Sequence, residues 1–358
     1  MNGLKIPYIN IQKQYKTIRD EILNAQDLVY SSGNMLSGKY TKQFESEMAI
    51  RCNRKYALTV NSCTQALIFA NIIVGNDSSV LMPAVSFIAT LNSALMTNRT
   101  VHFNDVDNQG LFDFNNPSAN PFKTLIFVDL YGNVVDQAKL NSFVSNFNDI
   151  TVIEDAAQSF GASWCGKPAG SFGDISCLSF DPMKNLPNYG SGGMLLTDNE
   201  SSYRMALNLR DNGKLDKYII PGTNSKMSES DCASMLIKLK YFDSWQRRRI
   251  NIANYYNEML SNYVDIPQIS PNVIPSWHKY VIQTTEQIPL KNYLSENGIE
   301  THIHYPTPLP FINNKQTIGF NNATSLSKKV LSLPIYPELS DTEVDIITQT
   351  IINYWKIK

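Results

Sequence analysis

Short apolar runs of strand length recur along the first half of the chain, and amphipathic stretches separate them. The apolar runs lie at residues 56–60, 80–82, 100–103, 124–130 and 151–153. Runs of this length are typical of buried strands. Because strands and helices follow one another in alternation, the pattern predicts an α/β fold with a largely parallel sheet and helices on both faces.

Helical periodicity marks both ends of the chain and the region after residue 200. The predicted helices cover residues 8–31, 40–52, 201–212, 231–243, 245–260, 290–297 and 341–355. From about residue 266 the composition changes to prolines and short strands, one of them at residues 277–282. We therefore divide the chain into a large domain, residues 1–243, and a small C-terminal α/β domain, residues 244–358.

The stretch from residue 151 to residue 198 carries the clearest chemical pattern. A predicted strand ends in the carboxylates Glu154 and Asp155, and Lys184 follows in an irregular loop closed by glycines. An acid at a strand end and a lysine on a later loop can face each other across the carboxyl edge of an α/β sheet, where such sheets bind ligands. An ordinary solvated ion pair between the acid and Lys184 is the alternative at this point.

The pair of Asp155 and Lys184 suits pyridoxal 5'-phosphate (PLP). A lysine amine forms a Schiff base with the aldehyde of this cofactor. A carboxylate beside the pyridine nitrogen keeps that nitrogen protonated, so the ring can accept electrons. Ser179, near the end of the strand predicted at residues 175–180, offers a hydroxyl to the phosphate.

The segment 61–67 is a second candidate for the phosphate site. It follows a strand and opens a helix with the small polar residues Ser62, Cys63 and Thr64. Free N–H groups and the helix dipole favour an anion at such a position. A Ser62 helix cap without any ligand is the commoner arrangement and stays open as the alternative.

Composition and charge exclude several classes of protein. Hydrophobic residues make up 43% of the chain and charged residues 18%, and the net charge is −1. These values are typical of a soluble globular protein, and without a basic excess we expect neither nucleic-acid nor membrane binding. The run Arg247–Arg249 is interpreted as a solvated helix face or a lattice of ion pairs. His302 and His304 alternate along a predicted strand, but no third ligand is evident, so no metal site is predicted.

Cysteine usage and the N-terminal sequence bear on the compartment. Five cysteines form no CxxC pair, and an odd number argues against a disulfide framework. The start of the sequence lacks the apolar core of a signal peptide, and no apolar run is long enough to cross a bilayer. We expect a reduced, cytoplasmic protein.

Several separated motifs together resemble one known family. EDAAQSFGA, GSFGDISCLSF and the Lys184–Asn185 loop that ends in GSGGML resemble the PLP-dependent nucleotide-sugar aminotransferases of the DegT/DnrJ/EryC1/StrS family, and the resemblance extends from about residue 7 to about residue 350. It implies the aspartate aminotransferase-like fold (PLP fold type I), with a mixed, mostly parallel seven-stranded sheet in the large domain. It also implies a homodimer with shared active sites.

The resemblance assigns cofactor roles to individual positions. The PLP phosphate is expected at Ser62, Cys63 and Thr64, where the family usually has glycine in place of Cys63. Phe87 is expected to stack on the pyridine ring, although an ordinary core phenylalanine is the alternative. Gln158 is expected near the ring hydroxyl.

Further positions are expected to face the substrate or the second subunit. The family's asparagine that reaches the neighbouring subunit's PLP phosphate corresponds to Asn224, and Lys226 stands where the family has arginine. Lysine cannot make the planar two-pronged contact of arginine. Asn185, and His304 and Tyr305 in an HYP segment that lines the family's active site, are candidate substrate contacts.

The expected function is transfer of an amino group from L-glutamate to a nucleotide-linked keto-6-deoxyhexose, with dTDP as the expected nucleotide. Such a reaction serves lipopolysaccharide O-antigen and other deoxyamino-sugar biosynthesis. Some relatives use PLP to remove a sugar hydroxyl, but they carry histidine in place of the lysine, so Lys184 argues against that reaction. The intact pair of Asp155 and Lys184 argues against a non-catalytic, regulatory relative. A nicotinamide enzyme would need a GxGxxG turn, and the turn at Asn61 has no glycine.

Overall fold

The computed structural model describes residues 5–75, 79–118, 120–214, 220–312 and 319–358. Helices occupy both the region before the first strand and the C-terminal third. The helices are α1 (Ile11–Ser32), α2 (Lys39–Arg51), α3 (Cys63–Ile73), α4 (Ile88–Leu95), α5 (Gln137–Val144), α6 (Glu200–Arg210), α7 (Glu229–Leu260), α8 (Gln287–Glu296), α9 (Leu309–Ile312), α10 (Asn321–Ser327) and α11 (Asp341–Ile357).

The strands of the large sheet overlap the predicted apolar runs, but in the described residues the strand predicted around His302 and His304 is replaced by an isolated bridge between His302 and Ser332. The strands are β1 (Tyr56–Val60), β2 (Val80–Pro83), β3 (Val101–Asn104), β4 (Thr124–Val128), β5 (Thr151–Asp155), β6 (Ser163–Trp164), β7 (Lys167–Pro168), β8 (Ile175–Ser179), β9 (Gly193–Thr197), β10 (Val273–Ile274), β11 (Tyr280–Gln283) and β12 (Val330–Leu333). Within the described residues a seven-stranded sheet has the order β1-β9-β8-β5-β4-β2-β3. This confirms the predicted α/β fold with a mixed, mostly parallel sheet.

The direction of the strands determines where the functional groups meet. In the described part of this sheet, β9 runs antiparallel to both of its neighbours, and the remaining pairs are parallel. The carboxyl ends of β1, β2, β5 and β8 therefore lie at one edge, beside the start of β9. The loops that leave this edge carry the residues that the sequence marked for cofactor binding.

Helix α7 corrects one prediction made from the sequence. Residues 231–243 and 245–260 were predicted as two helices, but Glu229–Leu260 is one continuous helix of 32 residues. Its N-terminal part packs on α1 and α2, and it also contacts α11. The boundary between residues 243 and 244 falls inside this helix, and the division into two domains stays a proposal.

The C-terminal part forms its own apolar cluster. The antiparallel pair β11 and β12 packs with helices α8 and α11 and the second half of α7 through a cluster that includes Tyr256, Tyr280, Leu331 and Ile347. None of the helices in the described ranges combines the length and apolar character that a bilayer crossing requires.

Candidate active site

A cavity of about 360 Å³ opens at the carboxyl edge of the large sheet. It receives residues from the loops after β1, β2 and β8, from the end of β5, and from the C-terminal part of the chain. The predicted site residues that line it are Ser62, Cys63, Thr64, Phe87, Asp155, Gln158, Ser179, Lys184, His304 and Tyr305. The acid and the lysine singled out in the sequence therefore share one cavity.

Asp155 is held at the end of β5 by hydrogen bonds to both carboxylate oxygens. The Thr90 hydroxyl donates to Oδ2 at 2.6 Å, and the Ala157 N–H donates to Oδ1 at 3.2 Å. Burial raises the pKa of the Asp155 carboxyl, while these hydrogen bonds and the nearby Lys184 ammonium act in the opposite direction. The carboxylate is thus oriented within the cavity, and its neighbours offset part of the rise in pKa that burial causes.

Glu154 has a structural role on the other face of β5. Successive strand residues point to opposite faces, and the Glu154 carboxylate accepts hydrogen bonds from the N–H groups of Gly170 and Phe172 at 2.7 and 2.8 Å and from the Ser176 hydroxyl at 2.6 Å. Its hydrogen-bonding capacity is used within the fold. Of the two adjacent carboxylates, Asp155 is the one that lines the cavity.

Lys184 lies in the loop between β8 and β9. Burial lowers the pKa of its amine, and Cys63, Asp155 and Asp181 act in the opposite direction. Lys238 from α7 contacts this loop at two residues. Its Nζ donates to the Pro187 carbonyl at 2.5 Å and lies 3.3 Å from the centre of the Tyr189 ring. The loop is therefore anchored to the long helix close to the lysine.

The N-terminus of α3 forms a cradle beside Lys184. The Ser62 hydroxyl caps the helix by accepting from the Gln65 N–H at 3.2 Å, which leaves the N–H groups of Cys63 and Thr64 without intrahelical acceptors. Gly193 lies so close that an added Cβ would come within 2.3 Å of the Cys63 nitrogen. This approach brings the start of β9 directly against the cradle.

Aromatic and amide groups surround the remaining cavity wall. Phe87 is 51% exposed, and its ring centre lies 6.3 Å from that of Tyr305. Gln158 donates from Nε2 to the Tyr305 hydroxyl at 3.2 Å and accepts at Oε1 from the Tyr131 N–H at 3.1 Å. His304 contacts the Ser332 hydroxyl at 2.9 Å through Nδ1. Burial lowers the pKa of His304 to about 2, so its ring is neutral.

Three predicted residues do not line the cavity of their own chain. Asn185 is buried and donates from Nδ2 to the Ser276 carbonyl at 2.8 Å. Lys226 forms an ion pair with Asp211 at 2.5 Å. Asn224 is exposed in the single chain. The carbonyl of its neighbour Ser225 accepts from the Asn61 N–H at 2.8 Å, which places this segment beside the loop that leads into α3.

Sequence reasoning did not identify several residues that line the cavity, among them Thr90, Asp181, His278 and Lys279. Thr90 orients Asp155 from α4, and His278 and Lys279 line the cavity from the segment before β11. The single available signal was a polar pair, His278 and Lys279, inside an otherwise apolar predicted strand.

The residues at this edge fit PLP. A buried carboxylate and an amine line a cavity large enough for a phosphorylated ring, and the backbone cradle of α3, where glycine at position 193 allows close approach, suits its phosphate. Ser179 adds a hydroxyl at the same edge. The arrangement can hold the three polar ends of the cofactor with residues that come from three different strands.

Comparisons with known proteins agree with this site. Residues 16–352 match the model of the DegT/DnrJ/EryC1/StrS aminotransferase family. The chain is 31% identical to the dTDP-3-amino-3,4,6-trideoxy-alpha-D-glucose transaminase of Streptomyces venezuelae, over 94% of this chain and 92% of that protein. It is 30% identical to the erythromycin biosynthesis sensory transduction protein EryC1 of Saccharopolyspora erythraea, over 97% of this chain and 99% of that protein.

A solved structure supports the same relationship. The crystal structure of S. venezuelae DesV in complex with a ketimine intermediate superposes with a TM-score of 0.93 at 28% identity, covering 98% of each chain. The sequence matches, the fold and the site geometry all agree with an aminotransferase of this family. The chain belongs to the DegT/DnrJ/EryC1/StrS aminotransferase family and is a PLP-dependent aminotransferase.

Proposed function

We propose that the protein transfers an amino group from L-glutamate to a dTDP-linked keto-6-deoxyhexose, with the keto group at C-3 or C-4, in the biosynthesis of a deoxyamino sugar such as one found in a surface polysaccharide. The observation that carries the proposal is the shared cavity of Asp155 and Lys184 beside the α3 cradle. The name of the S. venezuelae relative supports a dTDP-linked sugar and places C-3 first among the positions to be tested.

Asp155 is proposed to stabilise positive charge on the cofactor ring. When bound, PLP supplies an electron sink for the bonds at the carbon that carries the amino group. The Asp155 carboxylate pairs with the protonated ring nitrogen, and Thr90 at 2.6 Å fixes the carboxylate in place. A charge held in a buried site interacts more strongly than it does in water.

Lys184 is proposed to hold the cofactor and to move the proton. With the cofactor and donor bound, its amine would act as a general base toward the α-carbon of the donor and then as a general acid. Burial lowers the pKa of this amine, which increases the fraction of free base at neutral pH. The contacts of Lys238 with Pro187 and Tyr189 would limit movement of the loop that carries this amine.

The remaining cofactor contacts follow from the position of each group. The N–H groups of Cys63 and Thr64 and the hydroxyls of Ser62 and Ser179 would hold the phosphate. Phe87 would cover one face of the ring, and Gln158 would lie beside the ring hydroxyl. Asn224 is proposed to reach the phosphate of a second copy in a homodimer, since it does not line the cavity of its own chain.

Substrate contacts are proposed for His304 and Tyr305, which line the cavity. Asn185 and Lys226 contact Ser276 and Asp211 in the isolated chain. Their proposed substrate roles therefore require the second subunit or a rearranged side chain. Of these four residues, Tyr305 has the strongest case because its hydroxyl is also hydrogen-bonded by Gln158.

The name of the EryC1 relative, a sensory transduction protein, is the observation that favours a regulatory function instead. A regulator has no need of a buried acid and lysine in one cavity. The intact pair of Asp155 and Lys184 therefore supports catalysis.

The deciding experiment combines spectroscopy with turnover. Purified protein is incubated with PLP, L-glutamate and a panel of dTDP-, UDP- and GDP-linked 3-keto and 4-keto sugars, and the product position is determined by NMR. We expect an amino sugar and a visible absorbance band from the lysine-bound cofactor. Lys184→Ala should lose both, whereas Lys240→Met, at an exposed position on α7, should keep both. Unchanged turnover in Lys184→Ala would refute the assignment.

A further inference from the structure

Lys279 is a buried lysine without a carboxylate partner in the described structure. Its side chain lines the same cavity as Lys184, and the residue is 6% exposed. Nζ lies 3.0 Å from Nε2 of His278, and among the described residues no carboxylate oxygen lies within ion-pair distance of it. Asp181 lines the cavity too, but farther from Nζ than an ion pair allows. Buried lysines are normally paired.

Lys238 is a second buried lysine, and its contacts differ from those of Lys279. It is also fully buried, yet Nζ donates to the Pro187 carbonyl at 2.5 Å and lies over the Tyr189 ring at 3.3 Å. Lys279 has a neutral imidazole as its polar contact and lies 5.9 Å from the Tyr8 ring centre. Among the described residues, His278 Nε2 is the hydrogen-bond acceptor given for Lys279 Nζ, whereas an ammonium group has three donors.

The His278 ring is also incompletely satisfied. The residue is 5% exposed and lines the cavity, and its Nδ1 atom has no hydrogen-bond partner in the described part of the chain. Burial and the nearby Lys279 ammonium lower the pKa of His278 well below its ordinary value, so the ring is neutral. When Lys279 is charged it donates to Nε2, because an ammonium has donors only, and this fixes the lysine against the ring.

We infer that Lys279, oriented by His278, binds the α-carboxylate of the amino-acid donor. The inference rests on the proposed transamination and names the residue that selects its donor. An anion beside Lys279 supplies the missing counterion and a hydrogen-bond acceptor at once. His278 is a positioning residue, since it acts through the lysine.

Three anionic groups would enter this site: the cofactor phosphate, the diphosphate of the nucleotide sugar and the α-carboxylate of the donor. The cofactor phosphate has its own cradle at the α3 N-terminus. The diphosphate of a nucleotide sugar is attached at C-1 and is separated from the keto carbon by ring atoms. The α-carboxylate is bonded directly to the carbon whose proton Lys184 moves. Lys184 and Lys279 line one cavity, so an anion bound to Lys279 lies in the same cavity as the carbon from which Lys184 is proposed to take the proton.

The test compares two donors that differ by this one group. 4-Aminobutyrate is L-glutamate without its α-carboxylate. Holoenzyme is mixed with each donor, and the loss of the lysine-bound cofactor absorbance gives the rate and the donor dissociation constant. Lys279→Met should raise the dissociation constant for L-glutamate about 10- to 100-fold, as expected for a lost hydrogen bond to a charged group, and should reduce the preference for L-glutamate over 4-aminobutyrate by the same factor. Lys279→Arg should recover most of the loss.

Two further measurements make the result specific. Titration with 2-methyl-L-glutamate, which has no α-hydrogen, measures donor binding without proton transfer and should show the same weakening. PLP affinity and the reaction of the pyridoxamine-loaded enzyme with the keto sugar should stay within about threefold of the unmodified enzyme. Lys240→Met serves as the matched control, since Lys240 is exposed and lies 3.8 Å from Glu21. Methionine in place of an unpaired buried lysine removes a desolvation cost, so the variant should fold.

Distinct outcomes overturn distinct statements. An unchanged preference between the two donors in Lys279→Met would overturn the inference while leaving the transaminase intact. A loss confined to PLP affinity or to the keto-sugar reaction would assign Lys279 to a phosphate and overturn it too. If the unmodified holoenzyme is not converted by L-glutamate or any other amino acid, the proposed function fails and the inference fails with it.

Discussion

The Thr90 hydroxyl donates a hydrogen bond to Oδ2 of Asp155 at 2.6 Å, and the Ser86 hydroxyl lies 2.7 Å from Thr90 Oγ1. This chain of hydroxyls runs from Ser86, just before α4, through Thr90 in the first turn of α4 to the carboxylate at the end of β5. All three side chains are buried, so water does not replace a lost member easily. We propose that Thr90 orients the carboxylate for the cofactor ring nitrogen and favours its charged form.

Replacement of Thr90 by valine removes this hydrogen bond without a large change of shape. Because the bond lowers the pKa of Asp155, its loss should raise that pKa, and the acidic limb of the kcat/KM profile should move to higher pH. A hydrogen bond to a charged group is worth about 1.5–3 kcal/mol, so kcat/KM should fall about 10- to 100-fold. Thr90→Ser keeps the hydroxyl and should behave like the unmodified enzyme. An unshifted acidic limb in Thr90→Val would contradict this role.

The pH dependence of cofactor attachment tests the environment of Lys184. The aldehyde of PLP reacts with a neutral amine, and burial lowers the pKa of Lys184 below its ordinary value of 10.5. The rate at which apoenzyme forms its visible absorbance band should therefore rise with pH and level off before pH 10.5 is reached. Below the plateau it should fall about tenfold per pH unit. Asp181 acts to raise this pKa, so Asp181→Asn should move the profile to lower pH.

A profile that keeps rising to the ordinary pKa of lysine would show that the amine is not buried as described. A shift of the Asp181→Asn profile to higher pH would have the wrong sign for loss of a neighbouring negative charge. Either result would remove the support that the lowered pKa gives to Lys184 as a general base at neutral pH.

Gly193 is expected to be essential for the α3 cradle. An added Cβ would lie 2.3 Å from both the Cys63 nitrogen and the Ser62 carbonyl carbon, and neither backbone atom can move without disturbing the helix start. Gly193→Ala should lower the free energy of unfolding by about 1–3 kcal/mol and weaken PLP binding by at least about tenfold, measured by denaturation and by equilibrium titration.

The loop before β9 offers a matched control for this substitution. At Gly190 the nearest atom to an added Cβ is Nδ2 of Asn188 at 3.6 Å, an ordinary contact distance. Gly190→Ala should therefore bind PLP nearly as well as the unmodified protein. Equal effects of the two substitutions would mean that loop rigidity matters here, and close approach to the cradle does not.

The strand-end residues of the site could be located from the sequence, and the physical reason is the sheet itself. Asp155 and Ser179 end apolar runs, and Lys184 follows shortly after the second. Parallel strands bring such ends to one edge whatever the details of side-chain packing. Thr90 could not be found in this way. It lies in a run, Ile88–Leu91, that is typical of any buried helix, and its contact with Asp155 spans 65 residues.

Neither the role of Lys279 nor the continuity of helix α7 could be predicted from the local sequence pattern. The segment around Lys279 is buried on both faces, so the alternation that usually marks an exposed lysine on a strand does not apply.

The polar pair at Asp243 and Ser244 resembles a helix break. The helix continues because Phe242 packs on Phe160, and Trp245 packs with Ile18 and Ile22. These contacts depend on tertiary structure, which a local pattern does not contain.

Hybrid dimers test whether Asn224 completes the site of a second subunit. In a symmetric dimer with shared sites, a subunit carrying Lys184→Ala can still supply Asn224 to its neighbour, and a subunit carrying Asn224→Ala can still supply Lys184. Each variant alone should be inactive or strongly impaired. Co-expression produces hybrids in which one of two sites has both residues, so activity should return to about a quarter of the unmodified level when half of the dimers are hybrids. If Asn224 served its own subunit, beside the Asn61 N–H that Ser225 accepts at 2.8 Å, each hybrid site would lack one of the two residues and no activity would return.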